Sequence, residues 1–211
     1  TTPWIGNRRS SQSLRRNGLD IVITFDSTGS MQGEIDQVKR QIKRIGTSLM
    51  TLIPSKTRIS ICTYRDEGDR YVVRGLPLTS DIQEIDSYLG QIYADGGGDM
   101  PESVHEGLKW SIDENKFRPR ARKVILVFGD APPHPQYLST CLRLASDFHG
   151  QQAGVVSTVT CRAVRPLQPF VEIAEVGGGE AFVTADERQI MTQLIILVFG
   201  SRHRAKVVEA F

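Results

Sequence analysis

Asp26-Ser27-Thr28-Gly29-Ser30 sets a carboxylate and two hydroxyls on alternate residues directly after the apolar run Leu19 to Phe25. Hard oxygen donors of this kind at a strand end suit Mg²⁺ or a similar ion. Asp, Ser, Thr and Gly are equally the residues of turns and helix caps, so the pentapeptide alone leaves both roles open. Two other polar loops bear on the choice. Asp95-Gly96-Gly97-Gly98-Asp99 precedes a segment opened by Pro101, and Gly129-Asp130 closes the apolar run Val124 to Phe128. Together the loops offer the carboxylates Asp26, Asp99 and Asp130 and the hydroxyls Thr28 and Ser30, enough for an octahedral ion with one position open. Each residue also has a local explanation: Asp99 capping a helix begun by Pro101, Ser30 capping one from Met31, and Asp130 opening the Pro132-Pro133 turn. Three such coincidences on loops that one fold brings to a common edge favour a shared site.

The elements that would position these loops alternate between apolar runs and amphipathic segments, the pattern of a sheet layered by helices. Strands are expected at Leu19 to Phe25, Arg58 to Tyr64, Val124 to Phe128, Val155 to Cys161 and Ala181 to Thr184. Tyr71 to Arg74 follows the second run after only the turn-like Asp66-Glu67-Gly68-Asp69, too short a connection for a parallel crossover, so this pair is expected as an antiparallel hairpin. Ile35, Val38, Ile42, Ile45 and Leu49 recur at helical spacing from about Met31 to Leu52. Further helices are expected from Asp81, as cap, to about Ile92, from Pro101 to about Asn115, over Pro135 to Ala153, over Pro169 to Val176, and from Asp186 to about Gly200. In open sheets of this kind ligands sit outside the carboxyl ends of the strands, where the strand order reverses.

Composition narrows the function classes. A chain of 211 residues without a long Pro-, Gly- or Ser-rich stretch reads as one domain with short tails. Its 26 Lys and Arg against 24 Asp and Glu give a net charge of +2, with no strong field for nucleic acid or an acidic membrane. Leu194 to Phe199, the longest apolar run, is too short to cross a bilayer and reads as part of a buried helix. The chain does not begin with Met, which fits an excised domain. Cys62, Cys141 and Cys161 are an odd count without CxxC spacing, against a zinc ribbon or a disulfide framework; Cys62 and Cys161 read as small apolar filling in strands, with one bridge left open.

Other polar residues have plain readings. His105, His149 and His203 lack ligand spacing, while His134 either lines a face beside Asp130 or is a solvated loop residue. Glu34, Asp36, Glu102 and Glu106 stand near helix starts, where the macrodipole favours negative charge, and so need no catalytic role. The Arg-rich ends, Arg8 to Arg16 and Arg202 to Lys206, read as solvated tails, and Trp4 and Trp110 as packing residues. Asp26 to Ser30 is not the Asp-Thr-Gly of an aspartic protease, and no Ser/His/Asp elbow or phosphate-binding Gly-Lys-Thr is present.

These phrases resemble the von Willebrand factor type A domains and their metal-ion-dependent adhesion site, whose first loop reads Asp-x-Ser-x-Ser. Here Asp26-x-Thr28-x-Ser30, Asp99 and Asp130 fall where that motif requires its residues. Arg65-Asp66-Glu67-Gly68-Asp69, Gly96 to Glu102 and Gly129-Asp130-Ala131-Pro132-Pro133-His134 resemble the bacterial and kinase-associated branch, and Phe199-Gly200-Ser201 its closing helix. The resemblance covers about residues 19–201, between tails 1–18 and 202–211. It implies a doubly wound, Rossmann-like three-layer α/β fold with a six-stranded, mostly parallel sheet and one antiparallel edge strand. It also implies Mg²⁺, or Mn²⁺ or Ca²⁺, held directly by Thr28 and Ser30 and directly or through water by Asp26 and Asp130, with Asp99 as a further ligand. A protein ligand is expected on the same face, near Ser27, Gly97, Gly98 and His134.

Asp99 stands where the adhesion-type site has a neutral Thr. Three carboxylates around a divalent cation leave the cluster formally negative, so an incoming carboxylate is attracted less strongly and the ion is held more tightly. The function implied is a metal-binding protein-interaction module and not an enzyme. Two alternatives come from other classes: a metal-dependent hydrolase with His134 or Glu102 as base, and a structural subunit working beside a separate ATPase.

Overall fold

The structure, a computed structural model, describes residues 17–52, 56–97 and 101–184. Six strands form one sheet: β1 (Leu19–Asp26), β2 (Thr57–Tyr64), β3 (Val73–Thr79), β4 (Arg122–Gly129), β5 (Val155–Cys161) and β6 (Gly178–Thr184), in the order β3-β2-β1-β4-β5-β6. Every neighbouring pair is parallel except β2 with β3. This is the doubly wound α/β arrangement expected, with the reversed strand at one edge. The hairpin is longer than Tyr71 to Arg74: its strand begins at Val73 opposite Tyr64 and runs on to Thr79 through Pro77 and a register shift. Proline and an irregularity are both tolerated there because the outer side of an edge strand has no partner to lose.

Five helices cover the sheet among the described residues: α1 (Ile35–Leu52), α2 (Ile82–Gly90), α3 (Val104–Asp113), α4 (Leu138–Gln152) and α5 (Gln168–Val176). The pleat divides them. Leu19, Ile21, Ile23 and Phe25 point to a core with Ile35, Val38, Ile42, Ile45 and Leu49 of α1 and Ile85 and Leu89 of α2. Val22, Ile125 and Val127 point to the opposite core, with Val104 and Leu108 of α3, Phe148 of α4 and Phe170 of α5. All eight β1 residues are buried, as befits a central strand covered on both faces. Asp81 caps α2 as expected, accepting from the amides of Gln83 at 2.8 Å and Glu84 at 3.4 Å.

Two helix starts differ from expectation. The chain after β1 first makes a 3₁₀ turn over Gly29–Gly33, closed by Met31 N to Thr28 O and Glu34 N to Met31 O, and α1 begins at Ile35. Ser30 therefore lies inside a turn and caps nothing; Thr28, at the turn's cap position, makes no side-chain cap bond either. Likewise α3 does not begin at Pro101. Glu102 N donates to Pro132 O at 3.0 Å in a parallel bridge of Glu102 to Pro133, so the chain stays extended until Ser103 and the helix starts at Val104.

Cys62, Cys141 and Cys161 are buried free thiols, and no bridge joins them. Trp110 packs its indole where Gly75 of β3 has no Cβ. No described helix is long and apolar enough to cross a membrane. The closing helix expected from Asp186, both Arg-rich tails, Trp4 and His203 lie outside the described residues.

At the amino-terminal edge of the sheet, fully buried Asp20 accepts from Arg58 Nε at 2.9 Å and Nη2 at 2.8 Å. It also accepts from Arg118 N at 2.8 Å, Nε at 3.0 Å and Nη2 at 2.6 Å. Burial works to raise this carboxyl, but the hydrogen bonds from the two arginines outweigh it and hold its pKa below 3.8. The opposite, carboxyl edge carries the candidate site.

Candidate functional site

The strand order reverses between β1 and β4, the switch point at which a crevice opens in folds of this kind. β1 delivers Asp26 to it and β4 delivers Asp130. Asp26 is fully buried, and its Oδ1 accepts from Thr28 N at 2.8 Å and Thr28 Oγ1 at 2.6 Å. Thr28 Oγ1 lies 3.1 Å from Ser30 Oγ, which donates to Asp130 Oδ1 at 3.0 Å. A continuous carboxylate–hydroxyl–hydroxyl–carboxylate chain thus joins the first and third loops.

Asp26 Oδ2 is buried without a hydrogen-bond partner. Burial, against the two Thr28 hydrogen bonds and with the nearby Asp130 charge adding to it, pushes the Asp26 carboxyl up to about 7. An unpartnered buried carboxylate oxygen is costly unless a cation or proton meets it. The donor set of ionised oxygens and hydroxyls is that of a hard divalent ion. Among the described residues no three His, Cys, Asp or Glu side chains gather to hold an ion by themselves. In this corner, hydroxyls separate the carboxylates instead. Asp99 and Gly98 lie outside the described residues.

A further carboxylate lies outside the ligand set read from the sequence. Glu102, explicable there as a charge near a helix start, is 2% exposed, and its Oε2 is a second buried oxygen without a partner. Burial first, then the charges of Asp26 and Asp66, raise its carboxyl to about 8 despite a hydrogen bond with Thr28. The signal that would have found it is the Pro132-Pro133 turn, whose backbone bridge draws Glu102 inward.

The Gly-rich loop is held by a clamp that also lay unseen. Gly97 N donates to Asp69 Oδ1 at 3.1 Å and Oδ2 at 3.0 Å, while Asp69 Oδ2 also accepts from Asp66 N at 3.0 Å. Gly96 and Gly97 have φ of 74° and 70°, and a Cβ on Gly96 would collide with the Asp69 carboxylate. Gly96 O in turn accepts from Gly29 N at 2.9 Å, tying this loop to the first. A Cβ on Gly97 would come within 2.9 Å of Thr28 Cβ. Gly97→Ala is therefore expected to destabilise the fold by about 1–2 kcal/mol through left-handed strain alone, with further loss from the contact. Urea unfolding checks this; an unchanged midpoint would contradict the placement of Thr28 under Gly97.

One of the residues expected to meet a partner is out of its reach, and another is tied down by a carboxylate. Ser27 is fully buried: its Oγ donates to Tyr64 O at 3.3 Å, lies 3.0 Å from Tyr71 Oη, and accepts from Arg65 Nε at 3.3 Å. A partner has no access to that hydroxyl, which braces the loop from below. His134 is not a solvated residue: Nε2 sits 2.6 Å from Asp66 Oδ1, which also accepts from Ser103 Oγ at 3.2 Å. Burial raises the Asp66 carboxyl, but the bonds from His134, Glu67 and Ser103 prevail and its pKa is lowered. His105 stacks on Tyr137 at 3.9 Å between ring centroids, and burial lowers its pKa.

Comparison with known proteins agrees with this geometry. The von Willebrand factor A domain family matches residues 20–186. The mouse von Willebrand factor A domain-containing protein 7 is 28% identical over 180 residues, 79% of this chain and 19% of that protein. The chain spans between 11% and 19% of the length of the curated relatives it matches. The solved structure of the conserved hypothetical protein BatB from Bacteroides thetaiotaomicron superposes with a TM-score of 0.67 at 15% identity, covering 90% of this chain and 100% of that one. Proximal thread matrix protein 1 from the mussel byssus, with a zinc-occupied MIDAS motif, gives 0.66 at 15% identity over 87% of this chain and 45% of that one. At such identities the structures speak for the fold alone. The strand order, the switch-point loops and the span matched make this chain a member of the von Willebrand factor A domain family.

Proposed function

We propose that the domain binds one divalent cation at the corner formed by Asp26, Thr28, Ser30 and Asp130, and that the ordered loops hold a protein partner. The observation that carries this reading is the buried, unpartnered Asp26 Oδ2 at the end of the chain of contacts to Asp130. Thr28 and Ser30 would offer hydroxyl oxygens, Asp26 and Asp130 carboxylates directly or through water, and Asp99 a further charge. Glu102 joins this set as a buried acceptor behind Thr28. The ion, Mg²⁺ or Mn²⁺ by its oxygen donors, supplies compensating positive charge and fixes the three loops relative to one another. His134 and Gly97 would belong to the rim around it, with His134 oriented by Asp66.

Domains of this family are generally interaction modules, and that supports binding as the task of the face. The test is capture of partners on the immobilised whole chain in Mg²⁺, in chelator, and with Asp26→Ala. Partners retained in Mg²⁺ and lost in both other conditions are expected. Equal capture in all three would contradict a metal-organised face.

A further inference from the structure

β5 ends at Cys161, and the chain then turns through Arg162, whose φ of 56° places a bulky residue in the left-handed region. Such a conformation persists only where surrounding contacts fix it. Here those contacts reach the strand-end site. Arg162 Nη1 donates to Ser30 O at 2.6 Å and lies 3.7 Å from Asp130 Oδ2, so one guanidinium spans the first and third loops. Both contacts use Nη1, and the side chain is 53% exposed. Neither Nε nor Nη2 makes a hydrogen bond or ion pair with a described residue, which leaves one edge of the guanidinium as a preformed fork for a carboxylate.

Two residues further on, Val164 is 94% exposed, against 48% for Tyr93 and 39% for Val176, the other large apolar side chains exposed among the described residues. Arg165 beside it is exposed as well. A single exposed valine needs no explanation. One carried between two cations, on a turn whose base is pinned to the site, has the make-up of a contact surface.

We propose that residues 162–165 form a docking rim for an acidic protein segment, with Arg162 taking a partner carboxylate through Nε and Nη2 while Val164 packs against an apolar side chain beside it. This rests on the reading of the face as partner-binding and names what the partner presents. It also divides the labour: Asp26 and Asp130 already bring carboxylates to the ion, so the guanidinium and not the ion receives the partner's carboxylate.

The probe is the peptide N-acetyl-Leu-Glu-Leu-amide, titrated into the Mg²⁺-loaded whole chain and followed by NMR at the Arg162 Nε–H and Val164 methyl resonances. The Leu-Gln-Leu peptide and sulfate run in parallel. The Glu peptide is expected to shift both resonances, with the Gln peptide at least about tenfold weaker, the loss of one charge-assisted contact. Arg162→Gly, which suits the backbone angle and so adds no strain, and Val164→Asp are each expected to weaken the Glu peptide by a similar factor, and Val164→Asp, which touches no proposed ligand, keeps its Mg²⁺ affinity by calorimetry. Equal shifts from Glu and Gln peptides, the same response to sulfate, or variants that bind as wild type would overturn the proposal. The titration is repeated without divalent ion. Shifts at Arg162 and Val164 there support the rim even if Mg²⁺ itself fails to bind, and their absence under both conditions overturns it.

Discussion

Asp26→Asn is expected to make the metal-free domain more stable at pH 8 by about 2 kcal/mol, and to abolish its stabilisation by divalent cations. The first effect follows from burial. The Asp26 carboxyl has its pKa raised to about 7 from 3.8, so the folded state holds a proton that the unfolded chain has released. Between those values the folded state binds more protons, and stability falls as pH rises. Above about 7 the ionised group is fully penalised, and a neutral amide removes the larger part of the penalty while leaving its own N–H₂ to be satisfied. Asn keeps an acceptor for the two Thr28 bonds of 2.8 and 2.6 Å, so the loop holds its shape. The second effect is the loss of an anionic ligand, on the order of 100-fold in affinity, or ~3 kcal/mol. Thermal unfolding with and without Mg²⁺ measures both. A variant less stable than wild type in chelator would contradict the account of Asp26 as an uncompensated charge.

The other large effect lies at the far edge of the sheet. Asp20→Asn removes the charge that compensates both Arg58 and Arg118, and Arg118 Nη2 also holds the carbonyls of Leu19 at 3.0 Å and Lys56 at 2.8 Å. Removing one partner of a buried ion pair typically destabilises by 3–5 kcal/mol; with Arg58 and Arg118 at 26% and 32% exposure, about 3 kcal/mol is expected. The pKa of Asp20 is lowered, so its contribution is complete above 3.8 and is lost as pH falls through the folded value. Asp20→Asn should therefore flatten the acid limb of the stability curve. Divalent-ion binding should be unchanged, because the site stands at the opposite strand ends. A loss under about 0.5 kcal/mol in urea, the scale of an exposed pair, would show that the arginines are solvated and the triad is not structural.

The contrast between these two aspartates shows what the sequence made legible. Both are polar residues in or beside one apolar run, yet one is over-paired and the other under-paired, and the difference lies in partners 38 and 98 residues away. The strands, the reversed edge strand, the Asp81 cap and the convergence of Asp26, Thr28, Ser30 and Asp130 followed from local periodicity and from the rule for strand ends. Ser27 was misplaced, and the anchor of His134 missed, because their partners, Tyr71, Arg65 and Asp66, belong to the β2–β3 turn, which sequence spacing does not attach to the metal loops. Glu102 was read only as a helix-start charge or as the base of the hydrolase alternative, because its place is set by the bridge to Pro133 that carries it inward. Helix starts failed where backbone pairing competed with propensity: Pro101 is a good first helical residue, but Glu102 N is already committed to Pro132 O.

The most direct test of the central claim is a calorimetric titration of Mg²⁺, and in parallel Mn²⁺, into the chelator-treated whole chain and its Asp26→Ala variant. The account predicts binding of one ion per chain by the wild type and none by the variant. Heat that is absent from the wild type, or the same in both proteins, would contradict it.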